Sequence, residues 1–241
     1  MADAQNILIT GGTDGIGLKL AQAYANKGAS VAITGRRDLA DITDIIPPNV
    51  AYIQADQSIP ERAAEQIVHG LESLNWQHCD LAILNAGNGK VCNPLEELEG
   101  DLRNRIDVNL TAPILIAHEL TKSLMAAKAG KLVFIGSTSH KGAANFASYA
   151  ASKSGLNGFA RSLREEWRGK VSVQIIHPGP IATNMHAKAG FDPGIIRHIF
   201  LNPDFVTRTI IRKINGGNSP ISISFVARIM DFLTLQNWLT R

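Results

Sequence analysis

Two cysteines in 241 residues, Cys79 and Cys92, stand thirteen apart and make neither a disulfide framework nor a metal-binding or C-x-x-C redox pattern. The seven histidines include no H-x-H or H-E-x-x-H set, so no metal site is expected. A formal net charge of +3, with no basic block carrying interleaved aromatics, gives no footprint for nucleic acid. Nowhere is there a Pro/Gly/Ser-rich linker, a low-complexity run or a repeat of solenoid period, so the expectation is one domain over 1–241 rather than two. No basic-then-apolar leader precedes Ile7, and the apolar-faced segment from Val226 to Leu239 carries Arg228 and Asp231 and is too short for a membrane span. A reduced, cytoplasmic protein is the expectation.

What the chain does have is regular alternation. Short apolar runs at Asn6–Thr10, Ser30–Thr34, Val50–Gln54, Leu81–Leu84, Lys131–Ile135 and Val171–Ile176 read as strands, and Ile221–Phe225 offers a seventh. Helical patterns separate them. Ser58-Ile59-Pro60-Glu61 has the spacing of a capping box. A long helix is predicted from about Leu98 to Ala127, interrupted at Pro113, and Leu156, Phe159, Ala160, Leu163 and Trp167 repeat with a period near 3.6. Continuous apolar strands alternating with helices predict an α/β fold: a doubly wound parallel sheet of six to seven strands, with helices on both faces. Ligands of such sheets bind beyond the carboxyl ends of the strands.

Two stretches carry chemistry. Thr10-Gly11-Gly12-Thr13-Asp14-Gly15-Ile16-Gly17 follows the first strand and opens the first helix, where glycines let backbone amides approach a phosphate held at a helix N-terminus. In Ser148-Tyr149-Ala150-Ala151-Ser152-Lys153 the phenol and the ammonium stand four residues apart and share one helical face. A cation there is expected to bring the phenol's pKa of about 10 toward the working range.

The glycine spacing, Asn85-Ala86-Gly87, Ser137 and Tyr149-x-x-x-Lys153, in that order, resemble the short-chain dehydrogenase/reductase family, in its ordinary single-domain form, from Ile7 to about Thr183. The resemblance implies reversible hydride transfer between a nicotinamide cofactor and a carbonyl or secondary alcohol. It maps the family's catalytic residues onto Asn109, Ser137, Tyr149 and Lys153, and the cofactor floor onto Asn85, Ala86 and Gly87. Asp56 takes the adenine position, and Pro178, Gly179, Ile181 and Thr183 the nicotinamide segment. It also implies that Lys153 holds the nicotinamide ribose beside Tyr149, and that the Asn109 carbonyl serves a water relay. That carbonyl is expected to be freed because residue 113, a proline, has no N–H to give it.

Gly35 stands where NAD-preferring relatives place an acid, and Arg36 and Arg37 follow, so NADP(H) is favoured over NAD(H), although Asp14 in the glycine turn counts against it. Residues 184–220 are expected to form a variable substrate cap, in which Met185, His186, Phe191, Ile195, Ile196 and Phe200, with Phe146, suggest a hydrophobic small-molecule substrate. A 3-oxoacyl thioester on an acidic carrier is an alternative, with Lys128 and Arg168 as basic contacts. A catalytically idle dinucleotide-binding regulator is another. A sugar-nucleotide epimerase fits the glycine spacing poorly. The helix around Pro113 and the Tyr149 helix are the expected surface of a homodimer, with a tetramer less favoured because the chain departs from the family after Ile221.

Overall fold

The computed structural model describes residues 5–182, 200–216 and 219–223. Strands β1 (Asn6–Ile9), β2 (Ser30–Gly35), β3 (Val50–Gln54), β4 (Leu81–Leu84), β5 (Lys131–Ile135), β6 (Ser172–Pro178) and β7 (Ile221–Ile223) form one sheet in the order β3-β2-β1-β4-β5-β6-β7. Every neighbouring pair is parallel. The strands are apolar on both faces because both faces are covered. Leu8, Ala82, Leu132, Phe134 and Ile175 pack beneath α2 (Pro60–Ser73), α4 (Ala112–Glu119) and α6 (Ala147–Glu166). Ile7, Ile9, Ile33, Ile83 and Val133 pack on the other face, beneath α1 (Gly15–Ala25) and α7 (Pro203–Gly216). The molecule is a doubly wound, Rossmann-type α/β fold.

Three local features depart from expectation. Helix α2 has no capping box: Ile59 is its N-cap, Pro60 fills the first turn, and the backbone N–H of Ser58 is taken by the Asp56 carboxylate at 3.0 Å. The long helix is broken into α3 (Glu99–Ile106), a π turn (Asp107–Thr111), α4 and α5 (Thr121–Ala126). The break is therefore more than a proline kink. Ala112 N–H bonds the Asp107 carbonyl five residues back, and Pro113, with no N–H, extends the gap in the ladder past the turn. Of the cap expected over 184–220, the described part α7 packs as a sheet-covering helix, with Val206, Ile210 and Ile214 buried and Lys19 paired to Asp204 at 2.6 Å. The expected C-terminal helix from Val226 to Leu239 lies outside the described residues. No described helix is long and apolar enough to cross a membrane.

Candidate active site

The strand order reverses direction between β1 and β4, and in such sheets the ligand crevice lies beyond the carboxyl ends of the strands at that point. Thr10 at the end of β1 welds the two: its hydroxyl accepts the backbone N–H groups of Asn85 and Ala86 at 3.0 and 3.1 Å. The Asn85 amide donates to the carbonyls of Thr10 and Gly11 at 3.0 and 3.2 Å. Gly11 adopts φ +64°, and a Cβ on it would fall 2.8 Å from the Ala86 Cα; one on Gly17 would fall 2.6 Å from the Asn85 amide nitrogen. The glycines thus allow the turn to lie on the Asn85-Ala86-Gly87 segment, leaving the N-terminus of α1 open toward the crevice. Asp14 caps that helix, its carboxylate accepting from Gly15 N–H at 2.7 Å. Thr13 and Ile16 flank it on the turn. This is a cradle of the shape and polarity that a dinucleotide pyrophosphate needs.

At the end of β2, Arg37 donates to the Thr13 carbonyl at 3.0 Å, while the Tyr52 hydroxyl donates to the Arg37 carbonyl at 2.5 Å. Arg37 is thereby tied to the glycine turn. Arg36 is exposed; its carbonyl accepts from the Gln54 side-chain amide at 3.4 Å, while its guanidinium has no ion pair or hydrogen bond among the described residues. Asp56 lies past β3, one carboxylate oxygen engaged by Ser58. At the end of β6, Gly179 N–H bonds the Ile223 carbonyl and Ile181 pairs with Leu201. Thr183 lies outside the described residues, as do Met185, His186, Phe191, Ile195 and Ile196.

The putting-together of Ser137, Tyr149 and Lys153 follows from β5 and α6. Ser137 follows β5 and caps a short 3₁₀ turn, its hydroxyl accepting Ser139 N–H at 3.2 Å. Small residues at the start of α6 let the helix cross close to this strand end. Lys153, 3% exposed, donates to the Ile135 carbonyl at 3.0 Å, and its Nζ lies 5.9 Å from the centroid of the Tyr149 ring. Burial pushes the Lys153 ammonium down to about 8. It also pushes the Tyr149 phenol up, offset in part by a hydrogen bond with the Ser137 side chain. The expected lowering of the phenol by the lysine is not what this arrangement shows: the ammonium faces a backbone carbonyl, and desolvation outweighs it. Phe146 stands over Tyr149 at 6.0 Å between ring centroids, and Gly89 borders the same ring.

Asn109 is fully buried on the π turn. Its amide accepts from Asn88 N–H at 2.9 Å and donates to the Asn88 carbonyl at 2.8 Å and the Ser152 hydroxyl at 3.1 Å. A Cβ on Gly87 would fall 3.1 Å from Asn109 Oδ1 and 3.4 Å from Lys153 Nζ, so both groups border this glycine. Ser152 also donates to the Tyr149 carbonyl at 2.7 Å, closing a chain of contacts from Asn109 to the backbone of α6.

Sequence reasoning overlooked three sets of residues. Ser152 was readable as the inward neighbour of Lys153. The other two sets join distant segments and leave no local signal. One is a buried ion pair of Glu97 with Arg105, exposed 6% and 4% at their side chains, bridged by the Ser148 hydroxyl, which accepts from Arg105 at 2.5 Å and donates to Glu97 at 2.8 Å. The other is His177 with His140 and Asn157 around the carbonyl of Ser137. Arg168, considered as a carrier contact, is engaged by Glu165. No group of three or more metal-ligating side chains occurs among the described residues.

A dinucleotide cradle beside a tyrosine, lysine and serine, on a parallel sheet of this order, defines a nicotinamide-dependent oxidoreductase. A family model described as short chain dehydrogenase matches residues 5–193, and the chain belongs to that family. It acts as an NAD(P)-dependent oxidoreductase on CH–OH groups. The 3-oxoacyl-[acyl-carrier-protein] reductase MabA of Mycobacterium tuberculosis is 32% identical over 184 residues, which cover 76% of this chain and 71% of that one. The uncharacterized oxidoreductase YciK of Escherichia coli is 31% identical over 192 residues, 76% of each chain. A 3-ketoacyl-(acyl-carrier-protein) reductase from Brucella melitensis, complexed with NADH, shares the fold with a TM-score of 0.81 at 20% identity, over 93% of this chain and 98% of that one. A short-chain dehydrogenase from Burkholderia cenocepacia in complex with NADP gives 0.79 at 24% identity, over 92% and 96%.

Proposed function

We propose that this enzyme interconverts a carbonyl and a secondary alcohol on a hydrophobic substrate with NADP(H), using Tyr149 as the acid/base. The observation that carries this reading is the meeting of Tyr149, Lys153 and Ser137 at the carboxyl end of β5, beside the glycine turn. When bound, the nicotinamide cofactor supplies or accepts the hydride. Tyr149, kept protonated by burial, gives its proton to the carbonyl oxygen of a substrate being reduced. Ser137 steadies that oxygen as charge develops on it. Lys153, a buried cation with its Nζ 5.9 Å from the ring centroid, favours the phenolate once the proton has left. Asn109 holds the segment Asn88–Gly89 against Tyr149. Gly11, Thr13, Asp14, Gly15, Ile16 and Gly17 would receive the pyrophosphate, Asn85, Ala86 and Gly87 the adenosine side, and Pro178, Gly179, Ile181 and Thr183 the nicotinamide. The unpartnered guanidinium of Arg36 supports a 2′-phosphate, hence NADP(H) over NAD(H).

The 32% identity to a 3-oxoacyl-[acyl-carrier-protein] reductase favours a second reading, reduction of a 3-oxoacyl thioester. Oxidation of NADPH and NADH over a panel of ketones, including acetoacetyl-CoA, separates the two. Tyr149→Phe is expected to lose about 10²–10⁴ in kcat. Near-native turnover in that variant, or no turnover with any carbonyl, would sink the proposal, the latter favouring an idle regulator.

We also infer a homodimer through the outer face of α6, where Ala151, Ser154, Gly155 and Gly158 are exposed and small enough for close helix approach. The single domain over 1–241 and the substrate cap over 184–220 belong to the same reading, as does a cytoplasmic location, which suits two unpaired cysteines. Light scattering on the purified chain tests the assembly.

A further inference from the structure

The register of β5 and β6 sets Ile135 beside Ile176, and therefore Gly136 beside His177. A Cβ at position 136 would fall 2.7 Å from the His177 Cε1, so glycine there is what leaves room for an imidazole on the strand next door. The ring is 1% exposed. Its Nδ1 lies 3.1 Å from the carbonyl oxygen of Ser137. His140 brings its own Nδ1 to the same oxygen at 2.7 Å, and its backbone N–H at 3.1 Å. The two imidazoles stack with centroids 4.0 Å apart. On its far side His177 meets the side-chain amide of Asn157 at 3.0 Å, and Asn157 lies on α6, the helix of Tyr149 and Lys153.

A carbonyl oxygen only accepts, so both Nδ1 atoms must carry the proton. His177 is neutral: burial, His140, Lys153 and Lys141 all oppose a charge there, and its pKa is pushed down to about 4. The Nε2 of a neutral Nδ1–H ring is an acceptor; Asn157 Oδ1 is the atom placed 3.0 Å from it, so the amide has to turn over and present its NH₂. His177 thus braces the turn of Ser137, through its carbonyl, against the helix that carries the other two groups. Its hydrogen-bond partners are Ser137 and Asn157, neither of them in the glycine turn, and the next residue, Pro178, opens the segment assigned to the nicotinamide.

We propose that His177 is a positioning residue: with His140 and Asn157 it fixes the Ser137 carbonyl and so keeps the Ser137 hydroxyl in register with Tyr149. The proposal rests on the role given to Ser137, and Ser137→Ala is therefore measured in parallel. His177→Leu is expected to lower kcat roughly ten- to a hundredfold, the scale of a misplacement near 1 Å. The KM for NADPH stays within about twofold, because the glycine turn and the Asn85–Gly87 floor are untouched. His177→Gln, which retains a donor and an acceptor, recovers most of the loss. Independently of turnover, a long-range ¹⁵N–¹H spectrum of the wild-type protein is expected to show His177 as the neutral Nδ1–H tautomer at pH 7. An Nε2–H tautomer, or His177→Leu within about twofold of wild-type kcat while Ser137→Ala is inactive, overturns the proposal alone. Full turnover in Ser137→Ala removes the role of Ser137 and the brace together. Should His177→Leu fail to fold, His140→Phe and Asn157→Leu, both less buried, are each expected to cost about three- to tenfold in kcat. Unchanged kcat in both overturns it equally.

Discussion

The Nζ of Lys153 reaches the carbonyl of Ile135 at 3.0 Å while lying 5.9 Å from the centre of the Tyr149 ring. The lysine is thus a buried cation anchored to the strand end, and the fold carries a cost for keeping it charged.

That cost is measurable. Burial brings the ammonium down to about 8 from the ordinary lysine value of 10.5, so the unfolded chain binds the extra proton between those values. Below pH 8 the folded state bears a penalty of about 3 kcal/mol, which disappears as pH rises through 10.5. Lys153→Met removes it and forfeits the hydrogen bond to Ile135, worth about 1 kcal/mol. Urea unfolding at pH 7 should therefore find the variant about 2 kcal/mol more stable, with the gain gone above pH 10.5 and turnover abolished. A variant less stable than wild type at pH 7 would contradict the assignment of a charged lysine.

The Glu97–Arg105 pair makes a stability prediction of opposite sign. Arg105→Leu strands a buried carboxylate and should cost about 3–5 kcal/mol. Adding Glu97→Met should restore most of it, because two apolar side chains of similar volume replace two desolvated charges. Denaturant unfolding of the single and double variants gives the coupling energy directly. Additive losses would mean that the two charges do not act on one another.

Arg36 decides the cofactor if the reading given above holds. Arg36→Asp should reduce kcat/KM for NADPH by roughly 10–100-fold, the scale of a charge-assisted hydrogen bond. NADH should be affected far less. Equal losses with both cofactors, or an original preference for NADH, would end the claim.

Gly17 tests the cradle. A methyl group there meets the Asn85 amide at 2.6 Å as well as the Gly11 carbonyl, both fixed by hydrogen bonds. Gly17→Ala should cost about 1–3 kcal/mol of stability. Fluorescence titration should show NADPH affinity down at least about tenfold, since 1.4 kcal/mol of displacement suffices. Unchanged Tm and Kd would show that the turn has slack that its contacts do not suggest.

Much of this was legible in the sequence because it is local. Apolar runs such as Leu81–Leu84 announce buried parallel strands, and Tyr149 with Lys153 falls on one helical face by spacing alone. The glycine turn follows its strand and opens its helix as read. What failed depended on neighbours in space. The Ser58–Glu61 capping box lost to Asp56, which captures the Ser58 N–H first. The Tyr149 phenol moved up because burial, which no spacing reports, exceeded the pull of a lysine turned toward Ile135. His140 and His177 meet only through the pairing of β5 with β6, and Glu97 and Arg105 only through the fold of a loop onto α3. Pro113 marked the right place in the long helix but the wrong kind of interruption.

That interruption has a consequence for how the enzyme can vary. A five-residue turn shifts the helical phase by one residue, about 100° of rotation. Arg105 before it can therefore look toward the start of α6 while Ile116 after it looks into the sheet. Point substitutions leave this offset in place, whereas losing or gaining one residue between Asp107 and Thr111 would rotate one half of the rod against the other. In this segment the count of residues, more than their identity, keeps Asn109 between Asn88 and Ser152.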